Sequence, residues 1–361
     1  MKVALVIGPC PPGECGVGDY TMCLGNALNA SGIETHVIMS GDWNLPGVFK
    51  VSRRLREQKF DIVHIEYPTV GFGTRLGSQG LSLLQSCVVT IHEASQRHIL
   101  RKLALLPFAV RPEHIIFTNR FERRFATRWA PWIARASSVI PVGSNIAAAA
   151  QEGPRNLAEI VYFGLITPRK ELEQVLELGA LIKTAELPLM IRVIGGVPLK
   201  HVAYFDELRL KARGLPIIWD RDLSEEQIAK RLAGSSIAYL PYPDGASERR
   251  TTLKAALLSG LAVITTRGPH TPSELEGVVR FCRSPEEALA AACSLVESPE
   301  EMSKMAVKAV EYVRGFTWER IARLHLEVYS SVLSKRSSRG TIQAENTKLL
   351  GRTPGPVDAR R

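Results

Sequence analysis

Val, Ile and Leu recur along the chain in short, uninterrupted blocks: KVALVI (2–7), ETHVIM (34–39), FDIVHI (60–65), CVVTIH (87–92), HIIFTN (114–119) and SVIPVG (138–143). Blocks that are apolar on both faces are expected of parallel strands covered by helices on either side. The stretches between them carry a helical period instead. From Asp19 to Gly32, the side chains of Cys23, Leu24, Ala27 and Leu28 share one stripe, with Asp19 placed to cap the start and Gly32 to end the helix. The alternation predicts a doubly wound α/β unit.

The polar stretch AAAAQEGPRNLAE (147–159) interrupts that rhythm, which restarts with EIVYFG (159–164), LMIRVIGG (189–196), LPIIWD (215–220), SIAYLPY (236–242) and LAVITT (261–266). Two successive Rossmann-like units are predicted, residues 1–150 and 151–333, with a ligand in the cleft between them beside the carboxyl ends of the strands. Ser224 and Gln227 form a capping box for the helix after LPIIWD, and Thr317 can cap a last long helix, WERIARLHLEVYSSVL, expected to pack back on the first unit.

Composition narrows the class. At 361 residues and 45% apolar, the chain can bury a large core and is neither a disordered polymer nor a disulfide miniprotein. No stretch reads as a signal peptide or as an apolar run long enough to span a bilayer. The six cysteines lack zinc-finger spacing and read as reduced thiols in a cytoplasmic protein. The net charge of +10 is uneven: residues 334–361 hold seven basic and two acidic side chains, residues 95–136 hold nine and two, and the rest sums to −2. The segment 334–361 has few apolar residues and no period, so it is expected to be a disordered basic tail.

The first strand runs into GPCPPGECGVGDY (8–20), which delivers Gly16 and Gly18 just before a helix N-terminus. Such glycines let backbone N–H groups approach a phosphate, and the helix end adds positive partial charge. A nicotinamide fingerprint fits poorly, because the loop is long and Pro-rich and Thr21 stands where its third glycine belongs.

Several further segments complete a pattern: HIEYPTVGFG (64–73), TIHEAS (90–95), IPVGSNI (140–146), FGLITPRKELEQVL (163–176), LPYPDGASERRTTLKAALLSGLAVITT (240–266) and FTWERIARLHLEVY (316–329). In this order, with the GVGDY loop, they resemble the glycosyltransferase family-four group, and DGASERRTTLKAALLSG resembles one branch of it. The resemblance spans residues 16–329. It implies a GT-B fold and retaining transfer of a sugar from a nucleotide-diphosphate sugar to a glycan, lipid-linked or small-molecule acceptor. No metal or other cofactor is implied.

The leaving diphosphate needs fixed cations and N–H donors. By resemblance, Lys170 and Arg250 are the catalytic cations, and His92, after a strand and facing the cleft, contacts the donor near the transferring sugar. Arg169, Asp244, Gly245, Ser247, Glu248, Arg249, Thr251 and Thr252 complete the expected donor site with Gly16 and Gly18, while Glu66 and Tyr67 are expected on the acceptor side. The sequence departs from the family at two points. Leu165 replaces an arginine of the FxGRL segment, and the paired glutamates are broken, their positions falling on Ser247 and Ala255. A catalytically degenerate GT-B module that only binds sugar nucleotide or glycan is therefore the alternative.

Within residues 94–135, Arg101, Lys102, Arg120, Arg123, Arg124 and Arg128 mix with Leu103, Leu105, Leu106, Phe108, Phe121, Phe125, Trp129 and Trp132. A basic face with aromatic anchors suits docking on the inner, anionic face of a membrane, and ordinary inward packing of those apolar residues is the competing expectation. Nucleic acid is not an expected partner, since no zinc-finger, RNP or basic-zipper pattern is present.

Overall fold

The computed structural model describes residues 1–10, 15–95, 103–110 and 112–350, with side chains to 338. Two parallel six-stranded sheets form it. The first runs in the order β2-β1-β3-β4-β5-β6, from β1 (Lys2–Ile7), β2 (Glu34–Met39), β3 (Ile62–Tyr67), β4 (Val88–Ile91), β5 (His114–Phe117) and β6 (Ser137–Val139). The second runs β12-β11-β10-β7-β8-β9, from β7 (Asn156–Phe163), β8 (Met190–Gly195), β9 (Ile217–Arg221), β10 (Ser235–Leu240), β11 (Ala262–Thr266) and β12 (Arg280–Cys282). This is the expected fold class, with the short β12 added.

Strand order decides where a ligand can lie. In the first sheet the strand order reverses between the parallel neighbours β1 and β3, and in the second between β7 and β10. Crevices open at the carboxyl ends of such switch points. The loops after β7 and β10 hold Lys170 and Arg250, so residues eighty positions apart in sequence are neighbours by topology.

Apolar clusters fill both faces of each sheet. The helix Trp318–Leu350 returns to the first sheet, where Ile321, Ala322, Tyr329 and Val332 bury themselves against Val3, Leu5, Leu24 and Ile62. Burying one such aliphatic side chain contributes roughly 1.5–3 kcal/mol, so this return is a strong tie.

Two local expectations need correction. The first helix begins at Gly16 with Cys15 at its N-cap, and Asp19 sits inside its first turn, its N–H bonded to the Cys15 carbonyl. The basic tail does not begin at 334, because the last helix continues to Leu350. Arg336 on that helix pairs with the Glu113 carboxylate and donates to the Asp61 carbonyl at 2.6 Å, and extending an established helix needs no new nucleus. The remainder, 351–361, lies outside the described residues. The Ser224 capping box forms as expected, with Gln227 N donating to Ser224 Oγ at 3.2 Å and Ser224 N to Gln227 Oε1 at 2.9 Å.

Candidate active site

A cleft of about 650 Å³ lies between the two sheets, lined from the first domain by Cys15, Gly16, Tyr20, Thr69 and His92 and from the second by Asp244, Arg249, Arg250 and Thr251. The first wall is built by close backbone contact. A Cβ on Gly8 would lie 2.4 Å from the Gly71 carbonyl carbon, so the loops after β1 and β3 cross only because glycine stands at the crossing. The helix that starts at Gly16 has Cys15 at its N-cap, whose Sγ accepts from Val70 N at 3.5 Å and gives the helix no side-chain capping bond. The first N–H groups of this helix therefore face the cleft without a side-chain acceptor from Cys15. Gly18 lies deeper, packed under Cys10, and serves fit rather than exposure.

His92 follows β4, where its backbone N–H bonds to the Tyr67 carbonyl at 2.9 Å. Its Nε2 lies 2.8 Å from Glu66 Oε2, and its ring meets Tyr20 edge-on at 4.8 Å. Since an ionised carboxylate only accepts, His92 carries its proton on Nε2 and leaves Nδ1 for other partners. Glu66 is fully buried. Burial works to raise its carboxyl, but the neighbouring His64 and the hydrogen bond from His92 more than offset this and hold it below the ordinary range.

A second layer continues beneath. His64 bonds Tyr329 Oη through Nδ1 and Thr90 Oγ1 through Nε2, each at 2.7 Å, and burial pushes its imidazole down to about 4, so it is neutral. His325 donates from Nδ1 to the Ile321 carbonyl at 2.8 Å, leaving Nε2 3.4 Å from Tyr20 Oη. The last helix thus supplies two of the groups that hold His92 in place. His64, Glu66 and His325 offer ligand atoms within 4.8 Å of one another, as a metal site would. Both nitrogens of His64 are already engaged in the hydrogen bonds above, which makes the cluster a hydrogen-bond network. Tyr67, the other expected acceptor contact, packs into the core against Phe72 and Phe108. Neither Glu66 nor Tyr67 lines the cleft, so Glu66 acts on it through His92.

The second wall comes from the loop after β10. Gly245 takes φ +81°, and a Cβ there would lie 2.1 Å from Gly268 N, so this glycine is a turn and packing residue rather than a ligand contact. Arg250 sits at the N-cap of helix Thr251–Leu258, paired with the Asp244 carboxylate and lying over the Tyr242 ring at 4.6 Å. Its Nε is buried without a partner. Arg249 reaches across the cleft, 3.4 Å from Glu122 and 3.7 Å from Glu93 of the first domain and 3.5 Å from Asp244. Lys170 is largely buried behind Arg250, and burial and the Arg250 charge both push its amine down. Burial likewise lowers Arg250. Two cations destabilised by desolvation, next to a helix N-terminus, form a site for an anion.

The other expected donor residues are placed differently. Arg169 is exposed at φ +67°. Thr251 lines the cleft, while Thr252 is bonded to Tyr242 Oη at 2.9 Å. Ser247 and Glu248 line a neighbouring cavity, and burial raises the Glu248 carboxyl. Leu165 is half-buried and Ala255 lies in the core. Sequence reasoning passed over Lys254. This fully buried lysine donates from Nζ to the carbonyls of Val142 at 2.6 Å and Glu248 at 2.5 Å, with the Phe316 ring 4.3 Å away, and burial pushes its amine down to about 7. It links the second domain to the segment that joins the sheets. Its only signal was a lysine inside the apolar run LKAALL.

No family model and no curated protein matches the chain. Solved structures do. HepE (Alr3699) from Anabaena, in complex with UDP and glucose, matches with a TM-score of 0.69 at 13% identity over 92% of this chain and 100% of that one. Sucrose-phosphate synthase from Thermosynechococcus elongatus matches at 0.72 and 15%, covering 93% and 100%. A glycosyltransferase from Rickettsia africae matches at 0.65 and 15%, covering 92% and 98%. The likeness places the chain in the GT-B fold.

Proposed function

We propose that the chain is a retaining glycosyltransferase that takes its sugar from a nucleotide-diphosphate donor. The observation that carries this reading is the desolvated pair Lys170 and Arg250 beside two helix N-termini, opposite a His92 fixed by Glu66. The donor diphosphate lies against Arg250, Lys170, Thr251 and the N–H groups at Gly16. As the bond from the anomeric carbon to phosphate breaks, negative charge grows on the phosphate, and these groups stabilise it more in the transition state than in the ground state. The acceptor hydroxyl attacks from the same face and gives its proton to the departing phosphate oxygen. Because arginine and lysine neutralise the diphosphate, the transfer needs no metal, and EDTA leaves the rate unchanged.

HepE holds UDP and glucose, which makes uridine diphosphate sugars the first donors to test. Thermal shift with UDP and UDP-glucose, followed by assay of released UDP, decides the reading. A ligand at 100 times its Kd adds about 2.7 kcal/mol to stability. Binding without any release of UDP, with every acceptor tried, favours the binding-only alternative suggested by Leu165 and Ala255.

A membrane-borne acceptor has its own support. Phe108 is buried in the core and Leu105 and Phe125 pack against it, but Trp129 and Trp132 are 65% and 62% exposed and stand with exposed Leu103, Leu106 and Val110 beside exposed Arg124, Arg128 and Arg135. Arg101 and Lys102 lie outside the described residues. Among the described residues no helix is long and apolar enough to cross a membrane. The patch suits contact with an anionic bilayer surface, and co-sedimentation with anionic phospholipid vesicles tests it, with Trp129→Ser/Trp132→Ser expected to abolish the binding.

A further inference from the structure

A second cavity of about 790 Å³ opens on the other side of Arg249, and it is built differently from the first. The first domain contributes Arg120, Arg123 and Arg124 from the start of helix Arg120–Trp129, and the second contributes Ser247, Glu248 and the loop Pro269–Glu274. His270 stacks on Phe121 across it at 4.0 Å. Among the described residues, Arg120 and Arg124 make no ion pair, although both are exposed. Arg123 is oriented by Ser137 Oγ at 3.0 Å and the Ala134 carbonyl at 3.0 Å, through Nε and Nη2. Glu248 and Glu274 are the acids of the lining, and Arg249 is already engaged with Glu122, Glu93 and Asp244. An independent observation points the same way: the Ser247 hydroxyl, on a residue only 4% exposed, is buried without a hydrogen-bond partner at this cavity. A buried hydroxyl left unpaired costs free energy until something fills the site.

The helix that presents these arginines also carries the Trp129 patch at its other end. Ten residues at about 1.5 Å per residue separate the two features by roughly 15 Å. We infer that the second cavity binds a phosphoryl group of the acceptor, held by Arg120, Arg124 and the Ser247 hydroxyl next to the donor cleft. Arginine forks suit phosphate oxygens, and Arg249 separates this phosphate from the donor's own. The inference rests on the transferase reading for the word acceptor, and on the cavity alone for the phosphate.

The test is calorimetric titration of inorganic phosphate and of dodecyl phosphate, below its micelle concentration, into the full chain with UDP saturating the donor cleft. The double variant Arg120→Gln/Arg124→Gln changes exposed side chains and should keep its Tm and its UDP affinity. It should bind phosphate about tenfold or more weakly than the wild type. A tighter grip on dodecyl phosphate, lost in Trp129→Ser/Trp132→Ser, supports the site and identifies the phosphate as lipid-borne. Equal affinity for both probes supports the site with a soluble phosphorylated acceptor. Phosphate binding that is absent, or equal in wild type and the arginine double variant, overturns the inference. A chain that ignores UDP overturns the transferase reading instead, and the same phosphate titrations still decide the cavity.

Discussion

The two walls of the cleft solve opposite problems. On the first, His92 is held by a network in which Glu66 Oε2, His64, Thr90, Tyr20, His325 and Tyr329 meet hydrogen-bond partners inside the protein, while Glu66 Oε1 is buried without one. On the second, Arg250 Nε has no partner, Lys170 is desolvated beside another cation, and Arg249 holds carboxylates across the gap. The first wall is preorganised by hydrogen bonds within the protein. On the second, both arginines already hold carboxylates, yet Arg250 Nε and the desolvated Lys170 would be stabilised by a bound anion. Orienting a histidine ring and offering donors to an anion are thus divided between the two walls.

Four substitutions probe that contrast. The largest effect is expected for Arg250→Ala, which should cut transfer about a hundredfold while Tm moves by only a few degrees, because the residue serves the ligand more than the fold. Unimpaired turnover in that variant would falsify the role given to the second wall. Glu66→Gln should lower kcat about tenfold with little change in donor KM, since it loosens His92 without touching the diphosphate. Nitrogen chemical shifts of His92 should then report a weakened hydrogen bond at Nε2.

Lys254→Met addresses the join between the walls. The folded amine sits at about 7 whereas an unfolded lysine titrates near 10.4, so between those values the unfolded chain binds more protons. Stability should therefore rise with pH from about 7 towards 10, by at most about 1.4 kcal/mol per pH unit, and urea midpoints of the methionine variant should lack that rise. The smallest change is expected for Tyr329→Phe, which removes one bond, that to His64 Nδ1, at the edge of the network farthest from His92. It should cost about 1 kcal/mol of stability and alter turnover less than twofold. A larger loss of turnover would mean that the last helix tunes His92 directly.

How much of this could be read from the chain varies by feature. Blocks such as KVALVI and SIAYLPY mark β1 and β10 because strands covered on both faces must be apolar throughout. Arg250 and Thr251 before an apolar helix announced a charged helix start for the same local reason. Ser224 announced its capping box because all its partners lie within three residues. Glu66 was singled out as a direct contact of the acceptor, whereas it is buried beneath His92: a carboxylate at a strand end reads as a surface group unless the histidine 26 positions away is known to cover it. Lys254, Tyr329 and His325 gave no usable signal, because each matters through partners from a distant segment.

The sequence by itself therefore determined the two α/β units and the glycine at the first helix start, which follow from periodicity and side-chain chemistry acting over a few residues, whereas Lys170 and Arg250 were singled out by resemblance. Only the tertiary structure decided which of those groups share a space. The reversals of strand order bring Lys170 to Arg250, and the return of the last helix places His325 and Tyr329 under His92. Burial presses Lys254 and His64 towards neutrality, while His64 and the hydrogen bond from His92 hold Glu66 towards its ionised form against the pull of burial. Desolvation depends on everything that surrounds a group, and no local pattern encodes it.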